Sequence, residues 1–291
     1  MVRNHLIALA RKCKNALLSE SSIPQIPSLP FDNAYPWLAA SSQKLWYDKS
    51  CPRRPQYIWG VLQGAALGRV LGMKRISVIE FGVAGGAGLL ALEAIAERCE
   101  RLVDIQIDVY GFDTGSGLPK PEDYRDLPNL FSEGQFVLNF DDLKKRLRRA
   151  QLKLGLVKDT VPDFMQSSPA PVAFVAFDLD LYTSTVDAFR LFSAHHSVLL
   201  PRVLSYLDDI VGFTYCEYNG ERLAISEFNQ LNKTKKICPI HGLKYYVPPE
   251  FKDWYAFDEC MYFAHLFDHP LYNVCDVLHA TSVIDVSGNI R

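Results

Sequence analysis

Two stretches of this chain bring together residue types that do chemistry. The first is Val78-Ile79-Glu80-Phe81-Gly82-Val83-Ala84-Gly85-Gly86-Ala87-Gly88, an apolar run that passes through four glycines into a periodic segment at 89–98. Glycine permits the positive φ of a tight turn, and it lets a ligand approach backbone beside the N-terminal end of a helix. The second is a set of acids, Asp178 and Asp180 after one apolar run and Asp208 and Asp209 after the next. Carboxylates gathered in one place repel, and one takes up a proton unless a cation holds them together. A hard divalent ion with oxygen ligands, magnesium first, is the natural partner. It would bind an acceptor hydroxyl as a Lewis acid and lower its pKa.

The elements that must position these residues are legible as a pattern. Apolar runs at 76–81, 107–112, 152–157, 172–177 and 203–207 alternate with longer periodic segments, the signature of a parallel sheet with crossover helices. Runs at 243–247 and 260–267 are too close for a crossover and predict an antiparallel pair at one sheet edge. The expectation is an α/β fold: a Rossmann-like seven-stranded sheet, mostly parallel with an antiparallel edge, and helices on both faces. Ligands bind such sheets beyond the carboxyl ends of the strands at the switch point. Adjacent first, fourth and fifth strands would carry the glycine turn and both acid pairs to that place. A helix fits 56–71, with Trp59, Leu62, Ala66 and Val70 at helical spacing. The basic stretch at 141–153 reads as a solvated crossover helix, because Phe140, Leu143, Leu147 and Ala150 make a stripe and the acids precede the bases.

At 291 residues and 48% hydrophobic content the chain supports one domain with additions. Residues 1–55 read as a helical, aromatic-rich appendage serving as lid or oligomer contact, 56–270 as the main domain and 271–291 as a tail. A net charge of -2, from 31 basic and 33 acidic residues, gives no global reason to expect nucleic acid or an anionic membrane, so the expected partner is small. Seven scattered cysteines read as reduced thiols. The short apolar stretch at 6–10 does not make a secretory signal, and a cytoplasmic location is expected.

Two cofactors compete for the glycine turn. Gly86-Ala87-Gly88-Leu89-Leu90-Ala91 matches the dinucleotide pattern, with Asp108 near the offset of a ribose-binding acid, which suggests an NAD(P)-dependent oxidoreductase. Against it stands Glu80, an acid at the strand end before the first glycine. S-adenosylmethionine has no phosphate, and a carboxylate can meet its cationic methionine half. At the end of the second strand, Asp113, followed by Thr114, is placed to accept both ribose hydroxyls; the alternative is an Asx-type turn. Each acid pair also has a bland reading, Asp178 or Asp180 as a cap for a helix from Ser184 and Asp208-Asp209 as an ordinary loop.

Taken in order, Glu80-Phe81-Gly82-Val83 with Gly86, Phe112-Asp113 with Gly117-Leu118-Pro119, Asp159-Thr160-Val161-Pro162, Asp178 through Thr185, and Asp208-Asp209 resemble the macrocin O-methyltransferase family of class I S-adenosylmethionine-dependent enzymes. The resemblance covers about residues 56–235. It implies the seven-stranded methyltransferase fold, cofactor held by Glu80, Gly82, Gly86 and Asp113, and magnesium held by Asp178, Asp208 and Asp209. Gly88, Thr114 and Asp178 join the cofactor candidates. It further implies a small-molecule hydroxyl acceptor such as a natural-product sugar.

The chain departs from relatives in two places. Catechol O-methyltransferase has a catalytic lysine shortly after the first metal acid, where this chain has Leu181 and Tyr182. Pro201-Arg202-Val203 stands where the family tends to have Pro-Gly-Gly. Asp208 is the favoured base, His241 and His269 are alternatives, and His265 reads as core. The aromatics of 31–59 and the segment 119–131 are expected to cover the acceptor. A non-catalytic relative that keeps the fold as a binding module is the third reading.

Overall fold

The computed structural model describes residues 42, 44–245, 247 and 257–274. Most of the helical appendage expected at 1–55 and the tail beyond 274 lie outside them.

Helix α1 (Pro55–Val70) leads into β1 (Arg75–Phe81), α2 (Ala87–Val103) and β2 (Gln106–Asp113). Then follow α3 (Phe140–Arg146), β3 (Gln151–Leu154), α4 (Val157–Gln166), β4 (Val172–Phe177) and α5 (Tyr182–Phe189). The domain closes with β5 (Leu199–Leu207), α6 (Gly220–Leu231), β6 (Lys235–Pro239) and β7 (Met261–Leu266). The seven strands form one sheet in the order β3-β2-β1-β4-β5-β7-β6. β1 is paired in parallel with both β2 and β4, and β4 with β5, while β7 runs antiparallel to β5 and β6. The chain therefore winds outward in two directions from the β1–β4 pair, and that switch point is where a ligand cleft is expected.

Helices pack on both faces because β4 is apolar on both. Successive side chains of a strand point to opposite faces. Phe174 meets Tyr57 of α1 with ring centroids 5.7 Å apart, while Phe177, an odd number of residues on, meets Phe189 of α5 at 5.1 Å. All six residues of β4 are buried. Phe81 and Phe112 extend the α5 side, Phe81 stacking on Phe177 and Phe112 meeting Phe164 of α4 edge to face.

Four sequence expectations are corrected. The run at 152–157 is not one strand: β3 ends at Leu154, and Val157 opens α4. β5 begins at Leu199, four residues before the expected start. Residues 243–245 form a 3-10 turn, and the edge strand lies at Lys235–Pro239, where half-exposure leaves no continuous apolar run. The helix expected over 141–153 stops at Arg146, because buried Glu93 of α2 accepts the backbone N–H groups of Arg148, Arg149 and Ala150 and holds them out of helical pairing. A carboxylate that satisfies three N–H groups competes well with a marginal last helical turn.

Candidate active site

The carboxyl ends of β1, β2 and β4, with the turn after β5, border a cleft of about 430 Å³. Gly82 and Ala84 of the glycine turn line it, with Asp113 and Thr114 from β2, Asp178 and Asp180 after β4, and Asp208 after β5. Distant segments of sequence thus meet in one place, as strand adjacency requires.

The glycine turn owes its shape to contacts at specific positions. Gly82 has φ +83°, and a Cβ placed there would stand 1.7 Å from the carbonyl oxygen of Asp178. Only glycine lets β1 leave the sheet so close to the end of β4. Gly86, at φ +79°, begins α2 beneath Leu143, and a Cβ on Gly88 would stand 1.8 Å from Glu80 Oε1. Gly86 and Gly88 therefore admit neighbouring side chains, Leu143 and Glu80, and neither lines the cleft.

Asp113 fastens the turn. Its Oδ2 accepts the N–H groups of Val83 and Ala84, both at 2.9 Å, and its Oδ1 accepts that of Gly115 at 2.7 Å. The Asx-type turn is therefore present, and the same carboxylate faces the cleft. Glu80 is 1% exposed and sits behind the turn, outside the cleft lining. Tyr57 donates its O–H to Glu80 Oε1 at 2.6 Å, and Oε2 is buried with no hydrogen-bond partner. Burial drives the Glu80 pKa up to about 7 despite the Tyr57 hydrogen bond and the Arg54 charge, which act the other way; the Asp113 and Asp208 charges add to the rise.

The acids after β4 and β5 are crowded. Burial first, then the charges of Asp208, Asp209, Glu80 and Asp180, hold the Asp178 carboxyl well above the usual range. Burial, Asp209 and Asp208 push Asp180 up to about 7. Neither Asp178 nor Asp180 caps α5, which starts at Tyr182 after Leu181 without a side-chain cap. Asp208 accepts the O–H of Tyr206 through Oδ1. Asp209 turns away: it is 6% exposed, Oδ1 accepts Tyr215 O–H at 2.7 Å, and Oδ2 accepts the Asp180 N–H at 3.1 Å.

The magnesium ligand set expected from the sequence is consequently incomplete. Asp178 and Asp208 line the cleft, but Asp209 has each oxygen engaged by a protein donor and is not part of the lining. Among the described residues no group of three or more His, Cys, Asp or Glu side chains is arranged to hold a metal ion. The side chains as placed do not fit a coordination shell.

Other expectations resolve as follows. Asp108, the dinucleotide candidate, pairs in register with Ser77 near the start of β2 and bonds Arg75 at 2.6 Å, away from the cleft. Trp46, Tyr57 and Trp59 pack within the domain, Trp46 and Trp59 stacked at 6.1 Å, and none of them lines the cleft; residues 31–41 lie outside the described region. In the segment 119–131, Pro119, Lys120 and Glu122 reach the cleft, whereas Leu127 and Phe131 pack on Leu181 in a small apolar cluster. His269 bonds the backbone oxygens of His196 and Leu199, His265 bonds Tyr272, and His241 is exposed; none lines the cleft.

Sequence reasoning missed the tyrosines that hold the acids, Tyr57, Tyr206 and Tyr215, and also Glu221, which is fully buried and accepts the Asp209 N–H at 2.9 Å. The available signal was a phenol embedded in an apolar run, whose O–H needs a partner when buried. No helix among the described residues is long and apolar enough to cross a membrane.

No family model and no curated protein sequence matches the chain. Among solved structures it is similar to CalS11, a calicheamicin methyltransferase, with TM-score 0.50 and 19% identity over 85% of this chain and 99% of that one. A second structure, apo CalS11, described as a TDP-rhamnose 3'-O-methyltransferase, gives TM-score 0.41 and 19% identity over 89% of this chain and 93% of that one. The plantazolicin methyltransferase BpumL, in complex with a pentazolic desmethylPZN analog and SAH, gives TM-score 0.35 and 13% identity over 90% and 97%. The strand order and the likeness to the first of these establish the architecture: the chain has the seven-stranded, Rossmann-like methyltransferase fold.

Proposed function

We propose that the chain is an S-adenosylmethionine-dependent methyltransferase that methylates a hydroxyl of a small acceptor, sugar-like or natural-product-like, in the cleft at the switch point. One observation carries this reading: the glycine turn, the acid of β2 and the acids after β4 and β5 border a single cleft. The residues around it fit a cationic cofactor better than a pyrophosphate. Glu80 lies against the first turn of α2 with one buried oxygen unpartnered, where a dinucleotide would need room for phosphate. Asp108, the acid a dinucleotide would use, is bound to Arg75 elsewhere.

The bound cofactor supplies an electrophilic methyl group. Gly82 and Ala84 offer it a backbone wall, and Glu80 offers negative charge behind the turn. Each carboxylate oxygen has two acceptor positions; Val83 and Ala84 take both on Asp113 Oδ2 and Gly115 takes one on Oδ1, so Asp113 holds the loop and keeps one position for a ribose hydroxyl, with Thr114 beside it. Gly86 and Gly88 keep the turn compact. Asp178 and Asp208 border the acceptor end. Tyr206 fixes Asp208 through Oδ1, which leaves Asp208 at the acceptor end to take the proton that an acceptor hydroxyl must lose.

Titration calorimetry separates the two cofactor readings. Adenosylhomocysteine is expected to bind with micromolar affinity, about -8 kcal/mol, and NAD and NADP to give no heat. Binding of a nicotinamide cofactor without adenosylhomocysteine would remove the methyltransferase reading.

A further inference from the structure

The helix before the glycine turn contributes to the site through one side chain. Tyr57 is fully buried, and its O–H reaches Glu80 Oε1 at 2.6 Å across 23 residues of sequence. Glu80 is also hemmed in from the other side, since only the missing side chain of Gly88 leaves space for its carboxylate. The phenol and the Gly88 turn both meet the same oxygen, Oε1, and so fix the orientation of the carboxylate. Its Oε2 is buried and without a hydrogen-bond partner. An unpartnered buried carboxylate oxygen is costly and calls for an explanation in what it will receive.

We propose that Tyr57 is a positioning residue of the cofactor site: its hydrogen bond to Oε1 fixes Glu80 behind the glycine turn, where the unpartnered Oε2 supplies negative charge for the cationic methionine half of S-adenosylmethionine. This rests on the methyltransferase reading above. The groups acting on Glu80 are Tyr57 from α1, Arg54 just before it, Asp113 from β2 and Asp208 after β5, and its charge also acts on Asp178 after β4; the α2 turn against it is uncharged at Gly88. Arg54 lies over the Tyr57 ring, 5.2 Å from its centroid. Tyr57 favours the ionised carboxylate by donating to it. Without that donor the acid holds its proton to higher pH and loses its fixed orientation together.

The test is adenosylhomocysteine affinity between pH 6 and 9 for the wild type, Tyr57→Phe, Glu80→Gln and the double variant. Removing one hydrogen bond to a charged group predicts about tenfold weaker binding by Tyr57→Phe near neutral pH. The pH midpoint of binding moves upward in Tyr57→Phe, and the pH dependence flattens in Glu80→Gln. Because Tyr57 acts through Glu80, adding Tyr57→Phe to Glu80→Gln changes affinity no further, which a purely structural role would not produce. Unchanged affinity and pH midpoint in Tyr57→Phe, or additive losses in the double variant, would overturn the inference. Should Tyr57→Phe not fold, a pH-independent wild-type affinity with no loss in Glu80→Gln overturns it equally. Absence of adenosylhomocysteine binding by the wild type would instead refute the methyltransferase reading itself.

Discussion

Gly82→Ala is expected to weaken adenosylhomocysteine binding by at least about 100-fold and to lower stability by about 3 kcal/mol. The added methyl would overlap the Asp178 carbonyl oxygen, 1.7 Å away, and a φ of +83° is unfavourable for any residue with a Cβ. Neither partner can step aside, because the Asp178 N–H donates to the Phe81 carbonyl at 3.0 Å and the Gly82 N–H to the Phe112 carbonyl at 2.9 Å. The turn must leave either β4 or β2, and in both cases the wall formed by Gly82 and Ala84 moves. Gly85→Ala is the matched control: it has ordinary φ, is exposed, and has nothing within 4 Å of its added methyl. Its affinity should stay within about twofold of wild type. Equal effects at the two positions, read by calorimetry and urea unfolding, would show that the turn is not the cofactor wall.

Asp178→Asn is expected to stabilise the ligand-free protein relative to the wild type at pH 8 while removing methyl transfer. Asp178 is held above the ordinary carboxylate range by burial and by Asp208, Asp209, Glu80 and Asp180. A folded-state pKa above the unfolded value means that folding binds a proton, so this stability is complete below the unfolded pKa, near 4, and is lost as pH rises through the folded one. Glu80, raised from 4.5 to about 7, and Asp180, raised from 3.8 to about 7, follow the same course. Wild-type stability should therefore fall between pH 5 and 8, and Asn at 178 should remove part of that fall. The two proteins should be nearly equal below about pH 3, where the acid is neutral in both states. If a divalent ion does relieve the crowding, magnesium at pH 8 raises the unfolding temperature of the wild type and not that of Asp178→Asn. A destabilised Asp178→Asn at pH 8 without metal would contradict the crowding of acids described here.

The sheet was legible because burial on both faces leaves a mark: β1, β2 and β4 are continuous apolar runs, and each was recovered within a residue or two. β6 was not legible, since an edge strand half open to solvent shows Lys235 and Lys236 rather than a run of apolar residues. The helix end at Arg146 could not be read either, because the competitor for its backbone, Glu93, lies more than fifty residues away. In the site, residue types that announce themselves at strand ends, such as Gly82, Asp113, Asp178 and Asp208, do border the cleft. Their orientation was invisible. Asp209 was grouped with its neighbour, yet Tyr215 and the Asp180 N–H hold it elsewhere. Gly86 and Gly88 belong to the turn, yet they face Leu143 and Glu80. Such differences are set by hydrogen bonds between segments that no spacing rule connects.

A crystal structure of the chain grown with adenosylhomocysteine tests the assignment most directly. The predicted result is a nucleoside against Gly82 and Ala84 with a ribose hydroxyl on Asp113 and its amino-acid half toward Glu80. Adenosylhomocysteine bound away from this cleft, or a cleft that stays closed to it at saturating concentration, would contradict the assignment.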